Sequence, residues 1–144
     1  MATFQSDLAT GQSYKGDSRI DGRLLSGKVR QCNAVVTVPA GLTTSDVVEV
    51  VTLPQGSLIN LAECYVVTES LGSTLTATLA CEGAGSDLAS SIDLSSAGKV
   101  DFDADGGLYT VAAGEEKVSM TIDSAASAVV GATARVVITY IDRN

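Results

Sequence analysis

From residue 33 onward, Val, Leu, Ile and Thr alternate with small or polar residues, and turn residues interrupt the pattern about every 8–12 positions. A period of two sends successive side chains to opposite faces of a strand and cannot line one face of a helix. Strands are therefore expected at Ala34–Val38, Val47–Leu53, Leu58–Glu69, Leu75–Cys81, Leu108–Ala112, Lys117–Ile122 and Ala132–Ile141. The segment Leu58–Glu69 is apolar on both faces, as a strand near the middle of a sandwich would be. The final strand sets Ala134, Val136, Ile138 and Tyr140 on one face and Arg135, Val137, Thr139 and Ile141 on the other. Pro39-Ala40-Gly41 and Pro54-Gln55-Gly56 each follow a Val-Thr-apolar run. They are expected as type I turns, with proline at the second position and glycine at the fourth. Residues 82–99 are rich in Gly, Ser, Ala and Asp, with Leu88, Ile92 and Leu94 as anchors, and read as a loop holding one short strand or helical turn. The fold class that results is all-β: a β-sandwich or jelly roll of about eight short antiparallel strands with an extended N-terminal arm.

Charge divides the chain where composition does. Residues 1–30 carry five basic and three acidic side chains, whereas residues 31–144 carry four basic and fourteen acidic. The expected organisation is a basic, extended arm over 1–30 and an acidic sandwich domain over 31–144. Within the arm, Tyr14, Lys15, Arg19, Ile20, Arg23, Leu24, Lys28 and Arg30 interleave cations with apolar residues. A tail serving solubility alone has no use for those apolar residues, so the arm is expected to order on a partner surface. A net charge of −8 argues against a nucleic-acid binder. The opening MATFQSDLATG lacks the charged and apolar regions of a signal peptide, and no run of 18 apolar residues exists, so neither secretion nor a membrane-spanning helix is expected.

Catalytic chemistry has little to use. The chain has no histidine, which removes the usual general base near neutral pH. Cys32, Cys64 and Cys81 are widely spaced, unlike a zinc cluster, and read as small buried hydrophobes, with a Cys64–Cys81 bridge left open. Carboxylates at Asp101–Asp105 and Glu115–Glu116 could be paired for glycoside cleavage, but six scattered aromatics supply few sugar platforms. Gly83-Ala-Gly85-Ser-Asp-Leu88 follows a strand but has leucine where a dinucleotide loop needs its third glycine. The run Asp101-Phe-Asp103-Ala-Asp105-Gly106 matches the opening of a calcium loop. Ala112 stands where the bidentate glutamate belongs, so a solvated acidic hairpin tip is the preferred reading. Calcium at Asp101, Asp103 and Asp105 stays as the open alternative, and no other cofactor is expected.

The stretches Leu53-Pro54-Gln55-Gly56-Ser57-Leu58-Ile59, Val66–Gly72, Thr74–Ala80 and Gly131–Tyr140 together resemble small virion proteins of tailed bacteriophages, of the capsid decoration, cement or head-fibre type. The resemblance covers about residues 50–141. It implies a non-enzymatic protein on the capsid surface of the virion, made in the host cytoplasm, whose partners are the major capsid protein lattice and further copies of itself. A homotrimer is the implied assembly, and neither nucleic acid nor membrane is a partner. A receptor- or glycan-binding module of a tail or head fibre is the alternative.

Overall fold

The computed structural model describes residues 2–5, 28–83, 87–102, 108–110, 115–125 and 127–142. They form two sheets packed on one apolar core, the expected all-β sandwich. Eleven strands are present: β1 Thr3–Gln5, β2 Lys28–Thr37, β3 Val47–Leu53, β4 Leu58–Asn60, β5 Tyr65–Thr68, β6 Thr76–Cys81, β7 Ala89–Asp93, β8 Gly98–Asp101, β9 Leu108–Thr110, β10 Glu116–Ser124 and β11 Thr133–Asp142. The count among the described residues exceeds the expected eight because β1 and β8 add to it and the strand expected over Leu58–Glu69 is divided between β4 and β5. The 82–99 segment also holds more order than a loop with one short strand. It contains β7 and the start of β8, pinned by the buried Leu88, Ile92 and Leu94.

The first sheet has the order β1-β3-β10-β6-β7. Its inward side chains include Val48, Val50, Leu53, Ala77, Leu79, Cys81, Val118, Met120 and Ile122, the alternate positions that the period required. β3 changes phase midway, with Val50 and Val51 both buried, because a bulge shifts its register against Val118 and Ser119. The second sheet is organised on β11. β2 pairs with it from Lys28↔Asp142 to Thr37↔Thr133, so β2 covers one whole edge. The opposite edge is shared end to end by β5 on Ala134–Val137 and β4 on Tyr140 and Ile141. β8 flanks β5, and β9 flanks β4.

Two local expectations are corrected by this arrangement. The single strand expected over Leu58–Glu69 is broken into β4, a 3-10 turn at Leu61–Glu63, and β5. The Asn60 side chain accepts the Ala62 N–H at 3.2 Å and starts the turn. The break leaves the β4–β5 edge of β11 without a ladder partner at Ile138 and Thr139, and the Cys64 thiol fills the gap at Thr139. The Thr139 N–H donates to Cys64 Sγ at 3.4 Å, and that thiol lies 3.8 Å from the Thr139 carbonyl. The second correction concerns the turn after β3, which spans Pro54 to Ser57, one residue later than expected. The Ser57 N–H reaches the Pro54 carbonyl at 3.2 Å, and Gly56 takes the third position with φ +76°. A type II turn reserves that position for glycine.

The N-terminal end of the chain is tied to the first sheet. β1 pairs in parallel with β3, and Phe4 packs against the core. Asp46, almost fully buried, brackets this junction: Oδ1 accepts the Ala2 N–H and Oδ2 the Thr43 N–H, each at 2.9 Å. Those two donors, Ala2 first, hold its carboxyl below the ordinary value of 3.8. The bracket's contribution is thus fully present above 3.8 and is lost as pH falls through the lower folded value. We expect the exchange protection of the Thr3–Gln5 amides, corrected for intrinsic rates, to drop over that acid range while β6 amides keep theirs. Asp46→Asn should abolish the step. Protection of β1 that stays flat down to strongly acid pH would show that Asp46 does not hold this strand.

Candidate functional site

Of the residues expected to carry partner binding, Tyr14, Lys15, Arg19, Ile20, Arg23 and Leu24 lie outside the described residues. Lys28 and Arg30 belong to β2, so regular structure begins before the expected boundary at residue 31. Arg30 is half-buried, and its register partner on β11 is Tyr140. Of the three aspartates, Asp103 and Asp105 lie outside the described residues. Asp101 stands in β8, its carboxylate 3.3 Å from Lys99 Nζ. Among the described residues, no group of three acidic or cysteine side chains is placed to hold a metal. Glu116 is turned inward, where its Oε2 accepts the Cys81 thiol at 3.0 Å, away from any substrate. All three cysteines are free and buried. Burial pushes their thiols up, Cys32 and Cys64 to about 11 and Cys81 to about 12.

What the structure does bring together is the outer face of the second sheet. Register fixes its layout. One row across the strands runs Asn33, Val137, Tyr65, Asp101, and the next runs Val35, Arg135, Val67, Lys99. Beyond them, Thr133 meets Glu69 at the end of β5. These residues, Lys99 and Asp101 apart, line a groove of about 400 Å³. The outer face of a sandwich is ordinarily polar, yet the groove on this one is lined by three valines and a tyrosine. Val137 is only 1% exposed, while Val67 is 45% exposed beside it.

Of its charged side chains, Lys99 and Asp101 pair with each other, Glu69 is held by uncharged donors, and Arg135 has no side-chain partner among the described residues. Glu69 Oε1 accepts the Thr133 N–H at 2.6 Å and lies 3.4 Å from the Thr133 hydroxyl. Lys99 is held by Asp101 and also sits over the Tyr65 ring, 4.6 Å from its centroid, a cation–π contact. The exposed Arg135 side chain has no hydrogen bond or ion pair to any described residue, although it lies between Val35 and Val67 in the middle of the face. The alternation in β11 already set Arg135 and Val137 outward. Lys99 and Asp101 stand two apart on β8 and so share a face, whereas the bond from Thr133 to Glu69 depends on cross-strand register and left no trace in the sequence.

A second exposed apolar feature stands at the loop before β11. Val129 and Val130 are 52% and 64% exposed, yet the loop is held on both sides. The Val129 N–H donates to the Leu71 carbonyl at 2.8 Å and the Gly131 N–H to the Val38 carbonyl at 3.0 Å. The valines are thus presented on a fixed backbone.

The fold and its faces define a class: a two-sheet β-sandwich with an apolar outer groove and no catalytic constellation among its described residues. No protein-family model matches the sequence, and no curated protein matches it. Two solved structures share the fold. A chain from the capsid of Ralstonia phage GP4 aligns with a TM-score of 0.70 over 99% of both chains at 18% identity. A chain from the cyanophage Pam1 capsid asymmetric unit aligns with a TM-score of 0.59 at 24% identity, covering 91% of this chain and 95% of that one.

Proposed function

We propose that this chain is a non-enzymatic structural protein of a bacteriophage virion that binds the outside of the capsid lattice and decorates or cements it. The observation that carries the reading is the likeness to a chain of a phage capsid, with 99% of each chain covered. The absence of histidine from the sequence and the inward turn of Glu116 accord with a role in assembly. In this reading the major capsid protein is the partner and three copies of the chain associate. The arm residues Tyr14, Lys15, Arg19, Ile20, Arg23, Leu24, Lys28 and Arg30 lie along an acidic, grooved surface of the shell. The fixed Val129–Val130 tip adds a small apolar contact, and many weak contacts repeated over a lattice sum to firm attachment. The fibre or glycan-binding alternative has less support, since the Tyr65 ring on the outer face is covered by Lys99.

The test is co-sedimentation of the full chain with shells assembled from the capsid protein of the same virus. Saturable binding is expected, with light scattering giving a trimer for the free chain. Changing Lys15, Arg19 and Arg23 together to Glu should weaken shell binding about tenfold or more, while Val129→Ser with Val130→Ser should weaken it less. A full chain that never sediments with such shells refutes the reading. Shell binding that is indifferent to the arm charges refutes the arm mechanism alone.

A further inference from the structure

We infer that the outer groove centred on Arg135 is a docking cleft for an extended acidic segment of a partner polypeptide, one with Asp or Glu set between aliphatic residues. Three observations carry this. The first is the unpaired guanidinium. The chain has 17 acidic against 9 basic side chains, so a surface arginine seldom lacks a carboxylate neighbour. Here the two nearest in register are committed elsewhere, Glu69 to Thr133 and Asp101 to Lys99. Arg135 is left with its planar fork open to an incoming carboxylate, the geometry such pairs prefer.

The second is what flanks it. Val35 and Val67 stand on either side of Arg135 across the strands, with the buried Val137 as floor. A partner offering a carboxylate alone would leave Val67 in water. One that also offers aliphatic side chains removes that surface from solvent. An extended chain points alternate side chains the same way, so aliphatic, acidic, aliphatic at every second position matches the row valine, arginine, valine.

The third excludes other chemistries. A sugar ring stacks on an open aromatic face, and the Tyr65 face is occupied by the Lys99 ammonium at 4.6 Å. Nucleic acid would run a row of phosphates past Glu69, whose carboxylate lines the same groove, whereas a single side-chain carboxylate can meet Arg135 alone.

The inference deepens the shell reading by naming the chemistry of one contact and relies on that reading for where such a segment comes from. Its test uses the free protein, so it can fail while shell binding survives. The 15N-labelled full chain is titrated with the acetylated, amidated peptide Gly-Val-Ser-Glu-Ser-Val-Gly, which sets Val, Glu and Val on one face, with the same peptide carrying Lys for Glu, and with polygalacturonate. The acidic peptide is expected to shift the amides of Asn33, Val35, Tyr65, Val67 and Arg135, and the lysine peptide to shift none. Arg135→Gln should weaken the acidic peptide about tenfold or more, the loss of a charge-assisted bond. Val67→Glu, which sets a like charge beside the seat, should abolish binding through a second route. Shifts that fall elsewhere, or binding indifferent to both substitutions, overturn the inference. Polygalacturonate binding the same amides more tightly than the peptide also overturns it and assigns the groove to acidic glycans.

Discussion

Gly72→Ala should lower the melting temperature by about 10 °C, a loss of about 3 kcal/mol in a domain of this size. Gly72 forms an isolated bridge with Ala128 where the loop before β11 crosses the chain between β5 and β6. A Cβ at this position would lie 2.5 Å from the Ser127 carbonyl oxygen and 2.8 Å from the Ala128 Cα. Both are backbone atoms, so no side chain can rotate away. The glycine also sits at φ +142°, a conformation that residues with a Cβ rarely adopt. Steric overlap and backbone strain therefore add. Gly131→Ala separates them, because Gly131 has φ +88° but nothing within 4 Å of its Cβ position. That substitution should cost only the strain, about 1 kcal/mol. Equal losses at the two sites, read by thermal melting, would mean that the loop does not press on Gly72.

Leu79→Ala should be of similar size, about 3 kcal/mol, for a different reason. Leu79 is fully buried in β6, opposite Met120 of β10, and the Leu88 N–H bonds to its carbonyl at 2.8 Å. Truncation loses the transfer energy of the missing carbons and leaves a cavity that two paired strands close poorly. In urea the midpoint should fall with little change in slope. Leu79→Met, which keeps the volume, should cost under about 1.5 kcal/mol. Val67→Ala on the outer face should stay within about 0.5 kcal/mol. If Val67→Ala proved as costly as Leu79→Ala, the assignment of inner and outer faces would be wrong.

These contrasts bear on what the sequence makes legible. β6 and β10 were readable to within a few residues because each has one buried face and so a clean period of two. β3 and β11 were readable from their apolar, β-branched runs, although β3 shifts phase at Val50–Val51 and β11 is buried on both faces from Val136 to Tyr140. The expected break between Leu53 and Leu58 was likewise present, with its turn displaced by one residue. Leu58–Glu69 misled because Leu61 and Cys64 are buried through a change of direction, which a one-dimensional pattern cannot tell from a strand buried on both sides. β1 was hidden for another reason. Three residues have no period, and their order comes from an edge of β3 and from Asp46, both more than forty positions away. The outer groove lay between these cases. Its valines and Arg135 could be placed outward from alternation, but that Arg135 is left without a carboxylate follows only from how four strands align.

The place of β11 has a consequence for how the chain is made. β2, β4 and β5 all depend on a strand synthesised after them, and β2 waits longest, since Lys28 meets Asp142. Until residues 133–142 leave the ribosome, the second sheet lacks its central member, and the chain cannot complete it piece by piece during translation. The apolar strands already emerged spend that interval without their neighbour, open to mispairing with other nascent chains. A chain cut before Thr133 would therefore leave β2, β4 and β5 without the strand that joins them.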